Sequence, residues 1–78
     1  MRNDTIIQAA GLTICLTGET RTFAIVTIGG VEYRGEVGNP AGKDSPDAWM
    51  DYSIMRGLYT LPEHDFVAVC GAIAAEMT

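Results

Sequence analysis

An α+β fold follows from three observations on this sequence. Period-two apolar runs are confined to its first half, a glycine pair joins two of them, and helix-start signals are confined to its second half. The expected organisation is one small domain over residues 1–78: a sheet half (1–37), a loop (38–45) and a helical half (46–78). The sheet is a three- to four-stranded antiparallel meander over about 12–17, 21–28 and 31–37, with 5–9 as the further strand. Two helices, over about 46–58 and 63–77, pack against it.

The glycine pair is the strongest single signal. Thr22–Ile28 and Val31–Val37 are strand-like and flank Gly29-Gly30. Two-residue hairpin turns need positive φ at both central positions, which only glycine adopts without steric cost. The N-terminal segment reads two ways. Asp4 caps a short helix ended by Gly11, or Thr5–Ala9 is an edge strand; the strand is the favoured reading. Leu12–Thr17 alternates apolar and polar residues, as a half-buried strand does.

The turn after Thr17 decides which faces meet. A two-residue loop, Gly18-Glu19, sets Leu12, Ile14 and Leu16 beside Phe23 and Ile25 and makes both sheet faces apolar. A three-residue loop sets them beside Val26, Ala24 and Thr22. One face then collects Leu12, Ile14, Leu16, Ala24, Val26, Ile28, Val31, Tyr33 and Val37. The second register is preferred because it concentrates burial on one side. It leaves Phe23 and Ile25 on a mixed face with Thr13, Cys15, Thr17, Thr27, Glu32, Arg34 and Glu36, where something should cover them.

Gly38–Asp44 is a loop by composition. Ser45-Pro46-Asp47 then reads as a helix start, with Ser as cap, Pro at the first helical position and Asp at the positive end of the dipole. On the helical wheel Met50, Ile54 and Leu58 form one stripe, and Ala48, Tyr52, Met55 and Tyr59 another. Asp51 falls between them, and Trp49 falls on the opposite side with Ser53, Arg56 and Gly57. Thr60-Leu61-Pro62-Glu63 matches a capping box for the second helix. Phe66, Val69, Cys70, Ile73 and Met77 share a face of that helix, although 66–70 also reads as a strand ended by Gly71.

Composition narrows the functional classes. Apolar residues make up 47% and charged residues 19%, a globular balance. Net charge is −5, and residues 38–78 carry −4 of it. The basic residues stand singly, so no patch follows a phosphate backbone or an anionic membrane, and neither partner is expected. No apolar run is long enough to span a bilayer, and Asp4 close behind Arg2 makes a poor signal peptide, so the expected location is cytoplasmic. Cys15 and Cys70 read as two reduced thiols, with a single disulfide as the alternative.

No pattern assembles chemistry. Gly38–Lys43 resembles a phosphate loop in context, but three residues separate its glycines and Asp44 takes the hydroxyl position. Asp44, Asp47 and Asp51 lack the alternating oxygen ligands of a calcium loop. Cys15, Cys70 and His64 are too few and too scattered for structural zinc. His64 lies between Glu63 and Asp65 with no nucleophile placed beside it, and sequence neighbours on a helix do not make a dyad. No catalytic set, metal or cofactor is therefore expected.

The expectation is a non-enzymatic, acidic protein-binding module, a stoichiometric inhibitor or adaptor of a larger complex. By analogy of size and charge alone, such proteins are carried by phages and mobile elements. Tryptophan and arginine are enriched in binding hot spots, so the expected protein-binding residues are Trp49, Arg56, Ser53, Phe23, Ile25, Asp47 and Asp51. The acidic half suits a partner with a basic surface. The alternatives are a self-assembling structural subunit that forms homo-oligomers in a virion or ring, and a small enzyme subunit using His64.

Overall fold

The computed structural model describes residues 4–40 and 47–77. The element order is β1 (Thr5–Ala9), β2 (Leu12–Thr17), β3 (Thr22–Ile28), β4 (Val31–Gly38), β5 (Trp49–Met50), α1 (Tyr52–Leu58) and α2 (Glu63–Glu76). The five strands form one antiparallel sheet in chain order, and the α+β class is as the sequence predicts. The N-terminal segment takes the strand alternative, and 66–70 is helical.

Gly29 and Gly30, at φ 59° and 83°, close β3–β4 with Ile28 paired to Val31. Ala10 and Gly11 do the same for β1–β2 at φ 54° and 75°, with Ala9 paired to Leu12. Alanine is costly in that conformation, and for that reason this turn carries a weak sequence signal.

The register between β2 and β3 keeps the expected faces but not the expected partners. Ile14 pairs with Val26 and Leu16 with Ala24, a shift of two residues from the three-residue-loop alignment. Thr22 is paired only to β4, through Val37, so the connection is longer than three residues. A two-residue slip preserves parity, and the buried side of the sheet is therefore unchanged.

That side is roofed by the helices. Ile14, Leu16, Ala24, Val26 and Val37 of the sheet are buried against Met50, Ile54, Leu58, Val69, Ile73 and Ala74. Helix α1 lies on β4 and β3, and α2 lies on β1. The Tyr59 and Phe66 rings stack with centroids 5.7 Å apart and join the two helices.

The first helix begins later than Ser45-Pro46-Asp47 predicts. Ser45 and Pro46 lie outside the described residues, and Asp47 is not helical. Trp49 and Met50 are extended instead, paired to Gly38 and Val37 on the edge of β4. Asp51 starts α1 without capping it. Its backbone N–H donates to the Glu36 carbonyl at 2.9 Å, and its Oδ2 accepts from the Glu36 N–H at 3.1 Å. The strand edge thus satisfies groups that a longer helix would have satisfied internally. The Thr60 capping box is not formed either. Thr60 Oγ1 donates to the Gly57 carbonyl at 2.6 Å and closes the end of α1, while Pro62 occupies the cap of α2.

Candidate functional site: the open face of the sheet

Both helices lie on one side of the sheet, so among the described residues the other side carries no layer of its own. Alternation along the strands decides what it displays. β1 contributes Ile6 and Gln8, β2 Thr13, Cys15 and Thr17, β3 Phe23, Ile25 and Thr27, and β4 Glu32, Arg34 and Glu36. Trp49 pairs with Gly38, two residues beyond Glu36, and joins this face at its edge.

The registers build rows across the strands. One row runs Ile6, Cys15, Ile25, Arg34; the next runs Thr17, Phe23, Glu36. Ile6 is 59% exposed, Phe23 40% and Trp49 47%. A concavity of about 370 Å³ opens between Thr17, Phe23, Ile25, Arg34 and Gly35. A second, of about 400 Å³, opens between Gly11, Leu12, Thr13, Cys15, Ile25 and Thr27. The two meet at Ile25.

The charged groups on this face are internally paired. Arg34 Nη2 lies 3.1 Å from Glu32 Oε1. Arg21 clasps Glu36 with two bonds, Nε to Oε2 at 3.0 Å and Nη2 to Oε1 at 2.6 Å. That clasp lowers the Glu36 pKa and raises that of Arg21, chiefly through the hydrogen bond. At the β1 corner Asp4 accepts a hydrogen bond from Thr17 Oγ1 at 2.6 Å.

The predicted binding residues divide between the two sides of the sheet. Phe23, Ile25 and Trp49 share the open face, with Trp49 at its β5 edge. Ser53 and Arg56 do not join them, because α1 lies on the far side. The wheel sets Ser53, Arg56 and Gly57 on a polar surface; Ser53 and Arg56 are exposed as it predicts, and Gly57 is instead buried against the sheet. Ser53 sits over Gly35 and Gly57 over the Tyr33 ring. The Arg56 guanidinium lies 5.8 Å from the centroid of the same ring. At Gly57 the wheel fails because close approach to the sheet needs a small residue at this crossing, and apolarity does not report smallness. Asp51 is part of the β4 edge, and Asp47 is exposed on the helical side beside Ala48 and Cys70. Ile6 was missed as a site residue. Its signal, an isoleucine directly opposite Cys15, is readable only once β1 is known to pair.

The remaining chemical candidates stay dispersed. Both cysteines are free, with Cys15 on the open face and Cys70 on α2 across the sheet. Burial pushes the Cys70 thiol pKa up, which makes it less reactive. His64 does contact its neighbour, Nδ1 to Asp65 Oδ1 at 3.2 Å, contrary to the expectation that adjacent helical residues stay apart. In the first turn the side chains can lean together, yet the imidazole is 89% exposed and faces open solvent. Among the described residues no group of three His, Cys, Asp or Glu could hold a metal ion, and no helix is long and apolar enough to cross a membrane. The phosphate-loop reading falls mostly on residues 41–46, outside those described.

No family model matches this chain, and comparison with curated proteins and with solved structures gives no match for either.

Proposed function

We propose that this chain is a non-enzymatic protein-binding module, acting as a stoichiometric inhibitor or adaptor, and that it docks through the open face of its sheet. One observation carries this reading. A single side of a five-stranded sheet is left without helices among the described residues and displays Ile6, Phe23 and Trp49 exposed, with Ile25 half-buried on the same face. Aromatic and aliphatic side chains ringed by paired charges are the composition of an interface core with a polar rim.

The acidity lies elsewhere. Asp47, Asp51, Glu63, Asp65 and Glu76 are on the helical side, where Arg56 is the described cation. A partner with a basic surface would be met on that side, and the open face selects by shape and apolar contact.

The test is capture of partner proteins by the tagged full chain. Phe23→Ser with Trp49→Ala should abolish capture, and Val67→Ser, which trims an exposed apolar residue of α2, should leave it intact. Circular dichroism confirms folding in each. Capture that survives the Phe23/Trp49 pair of substitutions rules the open face out.

A further inference from the structure

We infer that β1 is an unguarded sheet edge that pairs with β1 of a second copy of this chain, antiparallel about a two-fold axis at Ile7, and so joins the two sheets into one. The open face, where a protein partner docks, stays free in this arrangement.

Hydrogen-bond parity is the first argument. Opposite residues of an antiparallel pair alternate between those that exchange both backbone bonds and those whose N–H and C=O point away. The two-residue turn at Ala10-Gly11 makes Ala9 and Leu12 a bonded pair, so Ile7 with Ile14 and Thr5 with Leu16 are bonded as well. Ile6 and Gln8 therefore each aim an N–H and a C=O away from β2. The same parity, taken from the Gly29-Gly30 turn, points Glu36 away from β3. There its carbonyl takes the Asp51 N–H at 2.9 Å and its N–H donates to the Asp51 carboxylate at 3.1 Å. Among the described residues no strand lies beyond β1 to do this for Ile6 and Gln8.

The second argument is the contrast between the two edges. Sheet edges are ordinarily blocked by charge, proline, a bulge or shortness. The far edge of this sheet is blocked twice over: β5 is two residues long, and the stretch of β4 beyond it carries Glu32 and Arg34. β1 is a five-residue strand, Thr-Ile-Ile-Gln-Ala, with no charge, no proline and an unbroken register. A foreign strand laid on it would present a new outer edge of its own. A second copy consumes both edges at once, and this decides the occupant.

Register follows from the outward groups. An axis at Ile7 sets Ile6 against Gln8 of the copy and Gln8 against Ile6, which satisfies every one of them. A slip to either side sets Gln8 against Asp4 or Ile6 against Ala10, outside the strand. The chosen register also sets Ile7 on Ile7 and Thr5 on Ala9, and opposes no charged residues within the sheet. The helical layer leaves room for it. Val67, Cys70 and Gly71 of α2 line a concavity of about 410 Å³ with Met55 of α1. Helical geometry puts Ala68 and Ala72 on the other flank, where small side chains let α2 approach its own copy. Asp65 and Glu76 share that flank, and each chain carries −5, so salt should tighten the pair.

Sedimentation equilibrium of the full chain from about 10 µM to about 1 mM, where micromolar to millimolar dimers are populated, tests this. The mass should rise to twice that of the chain and no further, and at lower protein concentration in added salt. Backbone hydrogen exchange supplies the site: the Ile6 and Gln8 amides should exchange freely in dilute monomer and become protected as the dimer forms. Gln8→Pro removes an outward N–H and no bond to β2, so the fold should survive while the dimer dissociation constant rises at least tenfold. Gln8→Lys, which keeps the N–H but places a charge on the edge, should act in the same direction. Phe23→Ser with Trp49→Ala should leave the dimer intact. A monomer throughout this range, a dimer whose Ile6 and Gln8 amides stay unprotected, a dimer indifferent to both Gln8 substitutions, or one that salt weakens overturns the inference. None of these outcomes touches the open-face reading, which stands or falls on capture by the Phe23/Trp49 variant.

Discussion

Gly57 shows how one missing methyl sets the height of a helix above a sheet. A Cβ at this position would lie 2.5–2.8 Å from the Tyr33 ring. Glycine inside a helix costs about 1 kcal/mol relative to alanine, so propensity alone favours Gly57→Ala. Overpacking costs about 1–3 kcal/mol, and the ring that must move is half-buried beneath Arg56. The clash should win. Gly57→Ala is expected to lower the urea midpoint, and Tyr33→Leu in the same chain to recover part of the loss. The Arg21–Glu36 clasp gives a prediction in pH. The folded Glu36 carboxyl has its pKa depressed by the hydrogen bond to Arg21. Its contribution is therefore present above the ordinary glutamate range and is lost as pH falls through the depressed value. Urea midpoints measured across the acid range at low salt should fall for the wild type, and Glu36→Gln should remove that part of the slope.

At the scale of elements, the β1–β2 turn can be improved. Ala10 is the described non-glycine residue with positive φ, at 54°, a region that costs alanine about 1 kcal/mol and asparagine less. Ala10→Asn should raise stability by about 0.5–1 kcal/mol, read from denaturant unfolding, with no change in the spectrum of the folded state. The elements also mark what the sequence could disclose. β2 and β4 were legible because each alternates along its length, β3 because a glycine pair joins it to β4, and α2 because Phe66, Val69, Ile73 and Met77 recur at helical spacing. β5 was not. Two residues are too few to show a period, and Ser45-Pro46-Asp47 advertises a helix just where the chain instead pairs with β4. The Asp51 carboxylate was placed by the wheel on a helix face, but a neighbouring strand offered it the Glu36 N–H. Such competition depends on tertiary proximity and leaves no trace in local spacing. The open-face residues Phe23 and Ile25 were legible because parity survives a two-residue register error. Gly57 was placed on the polar side because a wheel finds the apolar side, and α1 touches the sheet partly through its small side.

For the whole molecule, every strand is hydrogen-bonded to the one made just before it: the order across the sheet is the order along the chain. No strand waits for a distant hydrogen-bonding partner, and the helices arrive last, with α2 closing on β1 from the other end of the chain. Loop-closure entropy is therefore spent in small instalments, which places refolding among the quicker mixed α/β domains, within about milliseconds to tenths of a second. Stopped-flow tryptophan fluorescence should give one exponential phase in that window. Trp49 reports it well, because β5 can dock only after β4 exists. A ribosome releasing this chain would thus let each strand find its hydrogen-bonding neighbour as it emerges, yet would leave the apolar side of β1 wet until the final helix appears.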